Sequence, residues 1–224
     1  LVEAGELLKQ LAVNCTVRDK GVDLLRQAGS LSGEEAARAV LAWTRHPDYL
    51  VRSRAWATLC RVAHPAIIPD LINYLREERD EEFRLRCLDV LQCLKEPETV
   101  PLLAPFLYDR DPLVVRGTVW TIGAIGGEEA AGMLLSFGAS PAGRLVRREV
   151  VGEAVALALA GVPGREEVLA RVAGEDRRVA RYLADLPLDH DGKPRFSLYP
   201  SPDYFRLQCQ AREVDYKTFK RLME

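Results

Sequence analysis

Apolar residues along this chain fall in short helical stripes, separated by turns rich in Pro, Gly and acids. In PAIIPDLINYLREE, Ile68, Leu71, Ile72 and Leu75 repeat at i, i+3, i+4 and i+7, one face of a helix. The stripes themselves recur. An apolar residue followed by Arg appears at Val17-Arg18, Val51-Arg52, Leu85-Arg86, Val115-Arg116 and Val146-Arg147, with the arginines 34, 34, 30 and 31 residues apart. A further 34 residues leads to Arg181, in DRRVARYLADL. That period has room for two short helices and two turns. It predicts an all-α chain, an α-solenoid of about five to six helix pairs over residues 1–186.

Each unit reads alike. A turn comes first: HPDY at 46–49, RDEE at 79–82, DRDP at 109–112, SPAG at 140–143. A helix follows, and four positions after its Arg stands Val22, Trp56, Val90, Trp120 or Val151. With the residue before the Arg, this column flanks one broad apolar face. A loop with Pro or Gly closes the helix, and a second helix returns. Pro65 and Pro97 stand in the first turn of that second helix, where a missing N–H costs nothing.

The stretch Asp111 to Leu135, DPLVVRGTVWTIGAIGGEEAAGMLL, resembles a HEAT repeat of the type found in bilin-lyase-like proteins, and DYLVRSRAWATLCRVAHPAIIPDLINYL resembles the same unit. The likeness covers roughly residues 15–186 and is strongest in the middle three units. It implies a binding protein rather than a particular chemistry. It also implies that the turn Asp and the helix Arg join neighbouring repeats in a ladder of charge-assisted hydrogen bonds. Asp48 with Arg52 and Asp111 with Arg116 are its clear instances, and Arg86 and Arg147 belong to the same column. Asp80 stands six residues before Arg86, which puts the turn geometry of that unit in question.

One column breaks its own rule. Three residues after the Arg it holds Gly21, Ala55, Asp89, Val119 and Val150, so Asp89 is a lone charge among small and apolar residues. A buried carboxylate needs a partner, or its pKa rises. The expectation is an ion pair with Arg52, Arg86 or Arg116, and a loss of roughly 1–3 kcal/mol for Asp89→Asn. The alternative is a functional carboxylate between Trp56 and Trp120, the arrangement implied by a resemblance to HEAT-like-repeat alkylpurine DNA glycosylases. Both tryptophans stand in the apolar column, where core packing is the default.

Positions one, two, five and nine after the Arg should be the most exposed on these helices. They form a stripe with Arg54, Arg61, Cys87, Leu88, Leu91, Lys95, Thr118, Thr121 and Arg148, an apolar centre with basic flanks. Lining the concave face of a solenoid, it would suit a protein or peptide. If a partner covers the apolar centre, Leu88→Asp with Leu91→Asp is expected to abolish association and leave helicity intact; if the chain's own tail covers it, the same change, or deletion after Leu186, should lower stability.

Composition adds limits. The net charge is −2, which disfavours a basic nucleic-acid groove. No apolar run reaches membrane-span length. The chain opens LVEAGELLKQ, without Met or a signal-peptide pattern, as a piece of a longer polypeptide can. The five cysteines include no CxxC pair; reduced thiols in a cytoplasmic protein are expected. No GxSxG, HExxH or GxxxxGK[ST] occurs, so no catalytic residue, metal or cofactor is assigned. Asp189, His190 and Asp191 read first as a turn. Residues 187–224, with Phe196, Tyr199, Tyr204 and Phe205, are too aromatic for a linker. They read as a capping segment ending in a short helix.

Overall fold

A computed structural model of the chain describes residues 4–13, 17–160, 162–164, 167 and 181, so the expected capping segment at 187–224 lies outside them. The described residues are all-α, in two compact units that divide between Leu94 and Lys95. The first holds α1 (Ala4–Ala12), α2 (Arg18–Ala28), α3 (Glu34–Ala42), α4 (Tyr49–Val62), α5 (Ile68–Glu77) and α6 (Glu81–Leu94). The second holds α7 (Val100–Leu103), α8 (Pro112–Ile125), α9 (Glu128–Ala139) and α10 (Arg148–Ala158). Within each unit the helices pair and stack as in an α-solenoid: α2 on α4 and α4 on α6, and separately α8 on α10.

The repeat length reappears as a bonding register. Among the described residues of the first unit, several side-chain bonds join residues 28 to 33 apart. Trp43 Nε1–H donates to the Leu11 carbonyl at 2.8 Å, and Thr58 Oγ1 to the Leu25 carbonyl at 3.1 Å. Tyr49 Oη donates to Glu82 at 2.9 Å. Of the apolar column, Trp56, Val90, Trp120 and Val151 are buried, and Val22 is half-buried.

Turn acids start α4, α6 and α8, whereas α2 and α10 begin without a side-chain cap. Asp48 Oδ1 accepts from the N–H groups of Leu50 and Val51, and Asp111 Oδ1 from that of Leu113. Each satisfies a donor that a helix start leaves orphaned. Asp80 does the same for Glu82 N–H at 3.0 Å, so the unit with the longer Asp–Arg spacing keeps the same turn chemistry.

The second helices vary more. Pro65 and Pro97 each open a short 3-10 turn, Pro65–Ile67 and Pro97–Thr99, as expected of first-turn prolines. In PETVPLLAPFLYD the α-helix lasts only Val100–Leu103 before a second 3-10 stretch, Ala104–Tyr108. Pro105 lacks the N–H that would bond back to Pro101, so the tighter winding takes over. Gly126 and Gly127 both have positive φ, +86° and +95°, which only glycine adopts without strain. Gly127 N–H reaches the Ala158 carbonyl at 2.9 Å and ties this loop to the end of α10.

Arg52 is the hub of the first unit. Its guanidinium bonds Glu78, the Tyr74 hydroxyl and, at 2.9 Å, the Thr44 carbonyl, and lies 3.7 Å from the centre of the Phe83 ring. Burial pushes the Glu78 carboxyl up. The Asp80 N–H, Tyr74, Arg52 and the Arg79 N–H outweigh that and hold it below the ordinary value. Arg52→Ala should cost about 2 kcal/mol in urea denaturation, less than a fully buried pair because a fifth of the side chain is accessible. Arg52→Lys should recover little, since an ammonium cannot reproduce the planar fork.

Candidate functional site

Among the ladder residues, the bond between neighbouring repeats is made by Asp48 with Arg18, at 2.7 Å, rather than with Arg52. That contact holds the Asp48 carboxyl below the usual range. One Asp48 oxygen is engaged in capping and the other faces the neighbouring repeat. Arg52, one turn further along, points instead to the end of α5. Arg86 lies 3.7 Å from Glu82 on its own helix. Asp111 caps α8, and Arg147 precedes α10, 3.6 Å from Glu149. Arg116 lines the cleft described below.

The stripe expected to face solvent is accessible on α4, at Lys95 and at the first residue of α10, and buried elsewhere. Arg54 is half-buried and Arg61 exposed, whereas Cys87, Leu88, Leu91, Thr118 and Thr121 are all buried. Lys95 and Arg148 are exposed, in a loop and at a helix start. The correction has a plain cause. The expectation gave each first helix one solvent side, but α6, α8 and α10 are buried around most of their circumference. Cys87 Sγ donates to the Leu71 carbonyl at 3.2 Å, and Thr118 Oγ1 to the Val114 carbonyl of its own helix. Leu88→Asp with Leu91→Asp would therefore put two carboxylates in a core and disrupt the fold, not leave it intact.

Asp89 is buried as its column predicts, but not as an ion pair. Burial pushes its carboxyl up to about 7; the Arg86 guanidinium opposes this, and Cys93 adds to it. Among the described residues no salt bridge reaches it. Glu82, two turns earlier on α6, is also pushed up by burial, against the Tyr49 hydroxyl and Arg86. Trp56 and Trp120 are in the core, and Trp56 packs edge-on against Tyr74 at 4.7 Å. Neither indole face is available to stack on a flipped base, which removes the aromatic half of the glycosylase-like arrangement.

Two surface clefts are lined by described residues. In the first unit a cleft of about 420 Å³ lies along α3 and α5, and its charges pair with each other: Arg38 with Asp70 at 3.1 Å, Arg45 with Glu77 at 2.9 Å. In the second unit a cleft of about 540 Å³ runs between the 107–116 and 142–150 segments. Val115 and Val150 form its floor, Tyr108 and Leu145 its rim, and Arg110, Arg116 and Arg147 its cationic lining. Leu145 is 90% exposed and Tyr108 59%.

This rim is held in place. Gly143 packs so tightly on the Phe137 carbonyl that a Cβ there would run into it. Its N–H bonds Ser140 Oγ at 3.1 Å, and the short 3-10 turn Gly143–Leu145 follows. Tyr108 leans edge-on against Phe137, 5.7 Å between ring centres. Tyr108, Arg110 and Leu145 were not candidates in the sequence. Their signal is faint: an Arg-Leu-Val-Arg run after a Pro- and Gly-containing turn.

No curated protein matches the chain. No helix among the described residues is long and apolar enough to cross a membrane. Residues 68–156 match the family model described as HEAT repeats. That match spans the end of one unit and much of the other, and with the one-repeat bonding register it supports HEAT repeats over that stretch.

Proposed function

We infer that this chain is a non-catalytic binding scaffold, which uses its helix stack to hold a segment of another protein. The observation that carries this reading is the second-unit cleft. It has an apolar floor, two exposed apolar rim residues and basic flanks, the composition of a contact surface. HEAT repeats are commonly interaction scaffolds, which supports the same reading. The bilin-lyase-like form of the repeat rests on the Asp, Val-Arg and apolar-Gly features of Asp111 to Leu135, and it bears on architecture rather than on a lyase activity. Of the concave stripe, Arg54, Arg61, Lys95 and Arg148 remain as accessible cations. A reducing compartment such as the cytoplasm suits a chain whose five cysteines include no CxxC pair.

Selection of a random peptide display library against the whole chain tests the reading. Enrichment of related sequences that bind as synthetic peptides, with dissociation constants in the micromolar range or tighter, is the expected result. No enrichment, together with submicromolar duplex-DNA binding that weakens steeply with salt, would replace it with the nucleic-acid reading.

A further inference from the structure

We propose that the second-unit cleft takes an acidic peptide segment with one bulky apolar side chain, its carboxylates meeting Arg110 and Arg147 while the apolar group enters between Tyr108 and Leu145. The proposal rests on the scaffold reading above and names the chemistry of its ligand. Charge complementarity argues for the acid. Arg110 and Arg147 are both exposed, and among the described residues Arg110 has no ion-pair partner, while Arg147 has only Glu149, at 3.6 Å. Asp109, the acid in the lining, already accepts the Asp111 N–H at 2.9 Å. The first-unit cleft is the contrast, since there each arginine has its own carboxylate. An occupant of that cleft gains nothing from negative charge, whereas one in the second unit does.

Shape argues for the apolar group. A leucine 90% exposed has no folding role at its tip, yet its turn is fixed through Gly143 and Ser140. A rim ordered before binding loses little entropy when a ligand arrives. The cleft volume of about 540 Å³ accommodates one large side chain and the backbone flanking it.

The test uses the whole chain and a fluorescein-labelled decapeptide of glutamates around a central Phe. Its controls are the same peptide with central Ala and a lysine version. The Phe peptide should bind with a micromolar dissociation constant, the Ala peptide about tenfold more weakly and the lysine peptide not measurably. Leu145→Ser and Arg110→Glu should each weaken the Phe peptide tenfold or more while the melting temperature stays put. Arg79→Glu in the first unit changes net charge as much as Arg110→Glu and should have little effect. Equal loss in Arg79→Glu and Arg110→Glu would overturn the proposal in favour of diffuse charge attraction. Better competition by a single-stranded oligonucleotide of equal charge would overturn it in favour of a phosphate ligand. Failure of the Phe peptide to bind, while display-selected peptides bind elsewhere on the chain, would overturn the cleft assignment and leave the scaffold reading standing.

Discussion

Gly123→Val should destabilise the second unit by about 3 kcal/mol or more. Gly123 lies on α8 where α10 crosses it, and a Cβ there would stand 2.7 Å from the Ala154 carbonyl oxygen and 2.9 Å from its Cα. Those atoms are backbone, so no side-chain rotation relieves the overlap and the two helices must move apart. Gly123→Ala tests the same point more gently. Alanine gains about 1 kcal/mol in helix propensity over glycine, so a net loss with Ala isolates the steric cost. Chemical denaturation followed by circular dichroism gives both numbers. A wild-type midpoint in Gly123→Val would mean that α8 and α10 do not approach as closely as described.

Asp89 should make stability depend on pH in the direction opposite to most carboxylates. Its folded-state value is raised from 3.8 to about 7, because burial penalises the charged form more than Arg86 favours it. The folded state therefore holds a proton that the unfolded state has released. Stability from this group is complete below its unfolded value and is lost as pH rises toward and through 7. Between pH 5 and 8 the loss amounts to about 2–3 kcal/mol. Asn mimics the protonated acid and does not titrate. The stability of Asp89→Asn relative to wild type should accordingly rise by that amount over the same range. Measuring the difference between the two proteins cancels the remaining carboxylates, several of which are shifted down. A difference independent of pH would mean that Asp89 is charged in the folded protein, as the ion-pair expectation held.

The period of the arginines and the apolar column were enough to read the helix pairs, because a core position repeats whatever the unit. Trp56, Val90, Trp120 and Val151 pack where the column puts them. Partners were less legible. Asp48 lies four residues from Arg52 in sequence, and nothing local says that its free oxygen turns to Arg18 thirty residues away. The exposed stripe failed for a related reason. A helical wheel assigns faces within one helix, whereas the burial of Leu88 and Thr121 depends on what surrounds that helix in the folded chain. The raised value of Asp89 was not legible, because the column locates a buried charge without saying whether a partner comes within reach. The cleft was hardest to foresee, since Tyr108, Arg110 and Leu145 occupy turns, outside the periodic positions.

The most direct test of the binding account is a titration of isotope-labelled chain with the acidic Phe-centred peptide, followed by backbone amide shifts. The account predicts saturable shifts concentrated at residues 108–116 and 142–150, with the α3 and α5 surface of the first unit unchanged. Saturable shifts centred on that first-unit surface, or none at millimolar peptide, would contradict it.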